Sequence, residues 1–462
     1  MKILCVGGAG WYFARPIADF CVCEDLRGSE VAIYDIDRDR GQLMAGMGER
    51  LSETAEANLR FTVPASLAEA VDGSDFVLAS IGGAGASGAA GYYESLVHLG
   101  DKVICAKRGV PQIVGDTAGP AAMAAAFRSV PIYLEICREI ERRAPRAVML
   151  NHANPMSVLC RAMVKYSSVR CVIGICHGVQ GGVRHAAEIL DIPPQELETV
   201  WIGTNHYYWF TRMCHKGKDV MPEFWEKARN RTPEPGRVLS ADLSRVYGHW
   251  IVYPQDDHII EFYPYLPQVE YPTNLPFGGM SDAHFGRRMK SLYSGEETLE
   301  EVRQRDACVS RADMLRDYAT RLDEVRLPEN ATDPILGEGT ARLITDIATG
   351  RRNVHICNVP NQHAVANLPP DAVLEVEAVT DSMGVRPLWM GEAPLALEAL
   401  LRKRIAWQEL VVDATVKGDR QLALQAMQVD ETAIPPKESE RLLGELLENS
   451  RGMLPTFEYS SP

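Results

Sequence analysis

The chain has 462 residues, of which 46% are hydrophobic and 24% charged, and a formal net charge of −14. That length exceeds one ordinary core and points to two closely packed domains. The acidic balance argues against partners that offer a phosphate backbone or an anionic membrane surface, and no apolar run is long enough to span a bilayer.

MKILCVGGAG enters a strand directly, without a basic leader or an apolar signal core. Eleven cysteines are scattered from Cys5 to Cys357 with no paired CxxC knuckle. They read as reduced thiols of a cytoplasmic protein, mostly buried as small hydrophobes.

KILCV is a strand, followed by GGAG and the amphipathic run WYFARPIADFCV. VAIYDID is a second strand and Gln42 to Leu59 a helix; FVLASI, KVICA, AVML and CVIGI continue as short buried strands. This alternation is that of a parallel α/β sheet. In its first turn Gly7, Gly8 and Gly10 would let a pyrophosphate approach backbone N–H groups at a helix N-terminus. Asp35, at the end of the second strand, would bind a ribose diol and disfavour a 2′-phosphate. The fingerprint departs from the usual one at GAGWYF, where Phe13 stands for the third glycine. The competing reading is a tight turn that holds no nucleotide.

Further loops leave the sheet at strand ends. IGGAGASGAAG is either a cofactor-covering loop or a plain linker, and NHANPM follows AVML. GICHGVQGG (Gly174–Gly182) sets Cys176 beside His177, which reads as a metal site, a nucleophile with its base, or two residues packed under a turn. Adjacent residues on an extended backbone point to opposite sides, which weighs against the nucleophile pair.

After Ile192 the rhythm changes. GTNHYYWF is an aromatic strand-like segment, whose lone histidine reads by itself as a packed or surface residue. VYPQDDHIIEFYPYLPQ has the composition of a loop, and by itself reads equally as a solvated acidic turn. HICNVPNQHAVANLPPDAVLEVEAV reads as two strands around a polar loop, and Leu395 to Met427 as a hairpin of helices. No linker cleanly divides the chain; the division adopted is a Rossmann-like nucleotide-binding domain over 1–200 and an α+β domain over 201–462, the latter assigned to substrate, metal and oligomerisation by the family resemblance that follows.

In this order GGAG, YDID, GDTAGP, NHANP, GICHGVQG, GTNH and CNVPNQ resemble glycoside hydrolase family 4, the NAD- and divalent-metal-dependent glycosidases. The resemblance runs from the first strand to beyond Leu395. It implies an α/β fold, with an N-terminal parallel sheet like that of lactate and malate dehydrogenases and an α+β C-terminal catalytic domain. It implies that Cys176 and His206 ligate the metal, usually manganese, with iron, cobalt or nickel as substitutes. Asn151 and Asn154 would bind sugar hydroxyls, and Asp116 of GDTAGP lies where the family has an acid near the sugar and the nicotinamide ribose. Asp256 falls at the position of the base that deprotonates C2, with Asp257, His258 and Tyr253 as competitors. His177, where phospho-sugar members carry aspartate, is a candidate acid for the departing oxygen.

A thiolate and an imidazole also make, by their own chemistry, an open donor set for an intermediate divalent ion. Their wide separation in sequence gives no zinc-knuckle pattern. The implied function is hydrolysis of an unphosphorylated α-glycoside (α-galactoside, α-glucoside or α-uronide) by oxidation at C3, proton loss at C2, 1,2-elimination, water addition and re-reduction. Two features favour an unphosphorylated sugar: Cys-His itself, and the lack of arginine in IGGAGASGAAGYYESL. Arg287 and Arg288 are candidates for a uronide carboxylate, though equally at home on a surface helix. The rivals are an NAD-dependent sugar dehydrogenase or epimerase, and a sensor that binds NAD without catalysis. The family also implies a homodimer or homotetramer.

Overall fold

β1 (Lys2–Val6), β2 (Glu30–Tyr34), β3 (Arg60–Thr62), β4 (Phe76–Ala79), β5 (Val148–Asn151) and β6 (Cys171–Gly174) lie parallel in the spatial order β3-β2-β1-β4-β5-β6. The structure, a computed structural model, describes residues 1–82, 96–110, 112, 114–233, 237–251, 256–263, 291–292, 295–331 and 339–457. Alternate residues of β1 serve two cores: Ile3 and Cys5 face one, Leu4 and Val6 the other. Both faces are therefore covered, which is why these strands read as continuous apolar runs. Helices α1 (Ala14–Val22), α2 (Arg38–Thr54), α3 (Leu67–Val71), α4 (Leu96–Lys107), α5 (Gly119–Arg143), α6 (Met156–Tyr166) and α7 (Gly178–Leu190) connect the strands. The order reverses between β1 and β4, so the loops at their carboxyl ends open a crevice of the kind that binds ligands.

The chain then builds a second, antiparallel sheet from β7 (Leu197–Thr204), β8 (Tyr207–His215), β9 (Lys218–Asp219) and β10 (Trp250–Ile251). It next returns to the first. β11 (Val354–Pro360) pairs antiparallel with β6 where Asn358 faces Gly174; β12 (Val373–Asp381) and β13 (Gly384–Pro387) extend the sheet to nine strands. The 200/201 division thus falls within β7, and the second half supplies one edge of the first half's sheet.

Several local readings change. KVICA belongs to α4, where Leu99 and Val103, one turn apart, pack with Leu292 and Val302. A short buried helical run and a buried strand share the same apolar composition. The helix expected to Leu59 ends at Thr54, and Glu56 and Asn58 take left-handed conformations. GTNHYYWF is a hairpin, not one strand: Thr204 pairs with Tyr207 and Asn205-His206 form the turn. Asp256–Ile259 is a short helix where a loop was expected. The two strands around a polar loop are β11 and β12, and the helical hairpin is Leu395–Lys417 followed by Arg420–Val429.

Gly174 is where the two halves meet. A Cβ there would lie 2.9 Å from Asn358 Cβ, Cys160 Sγ and Met156 Cγ. Gly174→Ala is expected to cost about 1–3 kcal/mol by overpacking, read as a lower urea midpoint; an unchanged midpoint would refute the close contact.

Candidate active site

The first loop is shaped by sterics before any ligand is considered. Gly7 has φ +74°, and a Cβ on it would sit 2.4 Å from the Ser80 carbonyl oxygen. A Cβ on Gly8 would meet the Cys5 carbonyl oxygen at 2.7 Å. The N–H groups of Gly7 and Gly8 both donate to the Tyr34 carbonyl (2.9 and 3.0 Å), so these amides hold the turn against β2 rather than point into the crevice. Gly10 caps the short 3-10 turn Trp11–Phe13 that leads into α1. Asp35 follows β2 and accepts N–H bonds from Ala9 (3.0 Å) and Asp37 (2.8 Å). Burial raises its carboxyl above the ordinary value, against the pull of those two amides. The glycine turn and Asp35 thus lie together at the end of β1 and β2, with Gly7 and Gly8 fixed by shape.

Cys176 lies just beyond β6 and His206 on the β7–β8 turn. Sγ of Cys176 is 3.3 Å from Nε2 of His206, and both residues are buried. His206 has φ +62°, a left-handed conformation that carries a strain cost for a side-chain-bearing residue. The other ring nitrogen, Nδ1, is 2.7 Å from Thr117 Oγ1, and that hydroxyl donates to Asp116 Oδ1 at 2.6 Å. With its one proton given to Asp116, Thr117 accepts from Nδ1–H, leaving the Nε2 lone pair facing the thiol. Burial, and then the neighbouring His258, push the His206 pKa well below the usual value, which favours the neutral imidazole.

Around this pair the loop before α5 is tightly held. Glu261, fully buried, accepts the N–H groups of Thr117 (2.9 Å) and Ala118 (3.0 Å) and bonds His258 Nδ1 (3.0 Å). Burial raises the Glu261 carboxyl and the His258 bond opposes that rise. Asn154 donates to Asp116 Oδ2 (2.9 Å). Burial pushes the Asp116 carboxyl up, but His258 and the bonds from Thr117 and Asn154 outweigh it and hold the group below its usual value.

Asn151 is buried and turned onto its own loop, donating to the Ala153 carbonyl (3.0 Å) and accepting from Ala153 N–H (3.1 Å). His177 is exposed at the N-cap of α7. Asp256 and Asp257 open the short helix that carries His258, but their side chains lie outside the described residues, as do Tyr253, Arg287, Arg288 and the loop from Gly83 to Gly91.

Two donor sets share His206. Asp116, His206 and His258 offer atoms within 4.8 Å of one another, whereas Cys176 faces Nε2 directly. Thr117 occupies Nδ1, so Nε2 is the ring nitrogen that faces Cys176. Thiol, neutral imidazole and adjacent carboxylate suit an intermediate divalent ion. Thr117 and Glu261 were missed from sequence. The signal for Thr117 was its place beside Asp116 in GDTAGP, and for Glu261 its place three residues after His258, in the turn that follows the short helix.

Residues 2–192 match the family 4 glycosyl hydrolase description and residues 201–433 that of the family 4 glycosyl hydrolase C-terminal domain. An alpha-galacturonidase of Bacillus subtilis (strain 168) is 28% identical, with 97% of each chain covered. An alpha-galactosidase of the same organism is 26% identical over 93% of this chain and 92% of its own. Among solved structures, a Bacillus subtilis protein described as a glucosidase superposes with TM-score 0.78 at 27% identity, over 97% of this chain and 99% of its own. A 6-phospho-alpha-glucosidase from gut microorganisms, in complex with NAD and Mn2+, does so with TM-score 0.76 at 21% identity, over 98% and 99%. The latter likeness shows the shared fold.

Thr117→Val removes the hydroxyl that orients His206 while keeping the side chain's shape. It is expected to weaken Mn2+ binding about 10–100-fold, with Thr117→Ser restoring it, as measured by titration with Mn2+ followed by electron paramagnetic resonance. Unchanged affinity in Thr117→Val would refute the tautomer assignment.

Proposed function

The chain belongs to the family 4 glycosyl hydrolases, and on that premise we propose that it hydrolyses an unphosphorylated α-galactoside or α-galacturonide with NAD and a divalent metal, manganese by preference. The carrying observation is the facing of Cys176 Sγ and His206 Nε2 at 3.3 Å beside the Asp116–Asn154 pair, at the carboxyl edge of a Rossmann-like sheet. The names of the two Bacillus subtilis relatives support the substrate class, and the NAD and Mn2+ complex of the structural neighbour supports the cofactors. Eleven free cysteines, eight of them buried, fit a reducing, cytoplasmic setting. No described helix is long and apolar enough to cross a membrane.

Gly7, Gly8, Gly10 and Asp35 would hold NAD; Cys176 and His206 would hold the metal. Bound there, NAD would supply reversible hydride transfer with the sugar, and the metal would supply a Lewis acid that makes the C2 proton acidic. Asp116 and Asn154 orient sugar hydroxyls, and Asn151 acts through the loop that presents Asn154. Asp256 removes the acidified C2 proton, with Asp257, His258 and Tyr253 as the neighbouring alternatives. The C2–H electron pair becomes the C1–C2 double bond as the C1–O bond breaks, and His177 gives its proton to the departing oxygen. Water then adds its hydroxyl to C1 and its proton restores His177, the base returns a solvent-exchangeable proton to C2, and hydride goes back to C3, so the net change is hydrolysis.

Turnover of p-nitrophenyl α-galactoside or α-galacturonide with NAD+ and Mn2+ in D2O is expected to place deuterium at C2 and leave no net NADH. Stoichiometric NADH without phenol release would instead establish a sugar dehydrogenase. His177→Ala is expected to lose about 10²–10⁴-fold in kcat/KM on alkyl α-glycosides but far less on p-nitrophenyl substrates, whose leaving group departs without a proton. Equal losses on both would remove His177 from the role of acid.

A further inference from the structure

The β7–β8 hairpin that carries His206 belongs to a different sheet from Cys176, so something must fix one against the other. Glu375, near the start of β12, touches that hairpin at three points. Its main-chain carbonyl accepts the indole N–H of Trp201 (2.8 Å), and its carboxylate accepts from Asn205 Nδ2 (3.4 Å) and faces the backbone N–H of His206. Across the ladder Glu375 pairs with Asn358, which in turn pairs with Gly174, two residues before Cys176. One row of strands therefore connects the cysteine's strand to the turn that bears the histidine.

Glu375, Asn358 and Asn205 are essentially solvent-free, at 0%, 0% and 1% exposure. Burying a carboxyl is costly, and burial raises that of Glu375 to about 7 against the opposing bonds from Asn205, Asn358 and the His206 backbone, so those bonds are what hold the group in place. Here two of its partners are the two residues of the turn, and the second of them is left-handed at φ +62°. Strain of that kind is held only when the surroundings over-determine it.

We infer that Glu375 is a positioning residue for the metal: its carboxylate clamps the Asn205–His206 turn and thereby sets His206 Nε2 opposite Cys176 Sγ. Glu375 touches neither sugar nor cofactor in this role, and acts through His206. The inference rests on the metal reading given above.

The test uses the full-length protein and two probes, Mn2+ affinity by electron paramagnetic resonance and the thiolate-to-metal charge-transfer absorption of added Co2+. Glu375→Gln, nearly isosteric, is expected to weaken Mn2+ binding about 10–100-fold, the usual effect of losing a partner that orients a ligand. The Co2+ band should shift or fade, while NAD+ affinity stays at the wild-type value. Asn205→Ala cuts the same clamp from the other side and is expected to change both probes in the same direction; it decides the matter if Glu375→Gln does not fold. Folded variants that bind Mn2+ and Co2+ as wild type does would overturn the role of Glu375 and leave the metal site standing. Wild-type protein that binds neither ion would overturn the metal site and this inference together. Loss of NAD+ affinity in parallel with Mn2+ affinity would show a general structural role and also overturn the inference.

Discussion

Thr117 has one hydroxyl proton, and where it goes governs the site. Asp116 can only accept, so the proton points to it, and the histidine on the other side must then be the donor. That leaves His206 with its lone pair at Nε2, toward Cys176. A single hydroxyl thus couples the acid of one loop to the protonation pattern of a turn in another sheet. Glu261 fixes the hydroxyl's own backbone through two N–H bonds, and the same carboxylate takes the N–H of His258. Side chains near the reacting atoms are oriented here by groups that never reach them, the arrangement on which preorganised sites depend.

Around that centre the fold divides the work. The parallel sheet provides a rigid edge where loops after β1, β5 and β6 converge, and the antiparallel sheet delivers His206 at the tip of a hairpin. The glycines of the first loop contribute chiefly by what they lack. A side chain at Gly7 or Gly8 would strike main-chain oxygens, and their amides are already bonded to Tyr34. Those two positions therefore leave space at the sheet edge rather than a ring of waiting donors.

Sequence showed this architecture best where the physics is local. The Gly7–Gly10 turn, the strand before it and Asp35 lie within a single strand–helix–strand unit, so their spacing alone carries information. Cys176 and His206 are thirty residues apart and were paired through family resemblance; no spacing rule brings a helix N-terminus and a hairpin turn together. KVICA misled because apolar run and helical turn are indistinguishable over five residues. The alternation in LEVEAV places Glu375 and Glu377 on one strand face, but only the tertiary fold shows that Glu375 is sealed while Glu377 is half-buried. Asn151 and Asn154, three residues apart in one motif, differ for the same reason: one amide closes the loop and the other reaches Asp116.

The return of β11 to the side of β6 also bears on how the chain is made. β6 is complete about 180 residues before Asn358 leaves the ribosome, a delay of roughly 10–40 s at ordinary synthesis rates. Throughout that interval the growing sheet ends in an uncapped apolar strand, the kind of edge that recruits other chains. The Asn358–Gly174 contact is therefore a closure step in biosynthesis as well as a join in the folded molecule. Until it forms, β6 is the open edge of the parallel sheet.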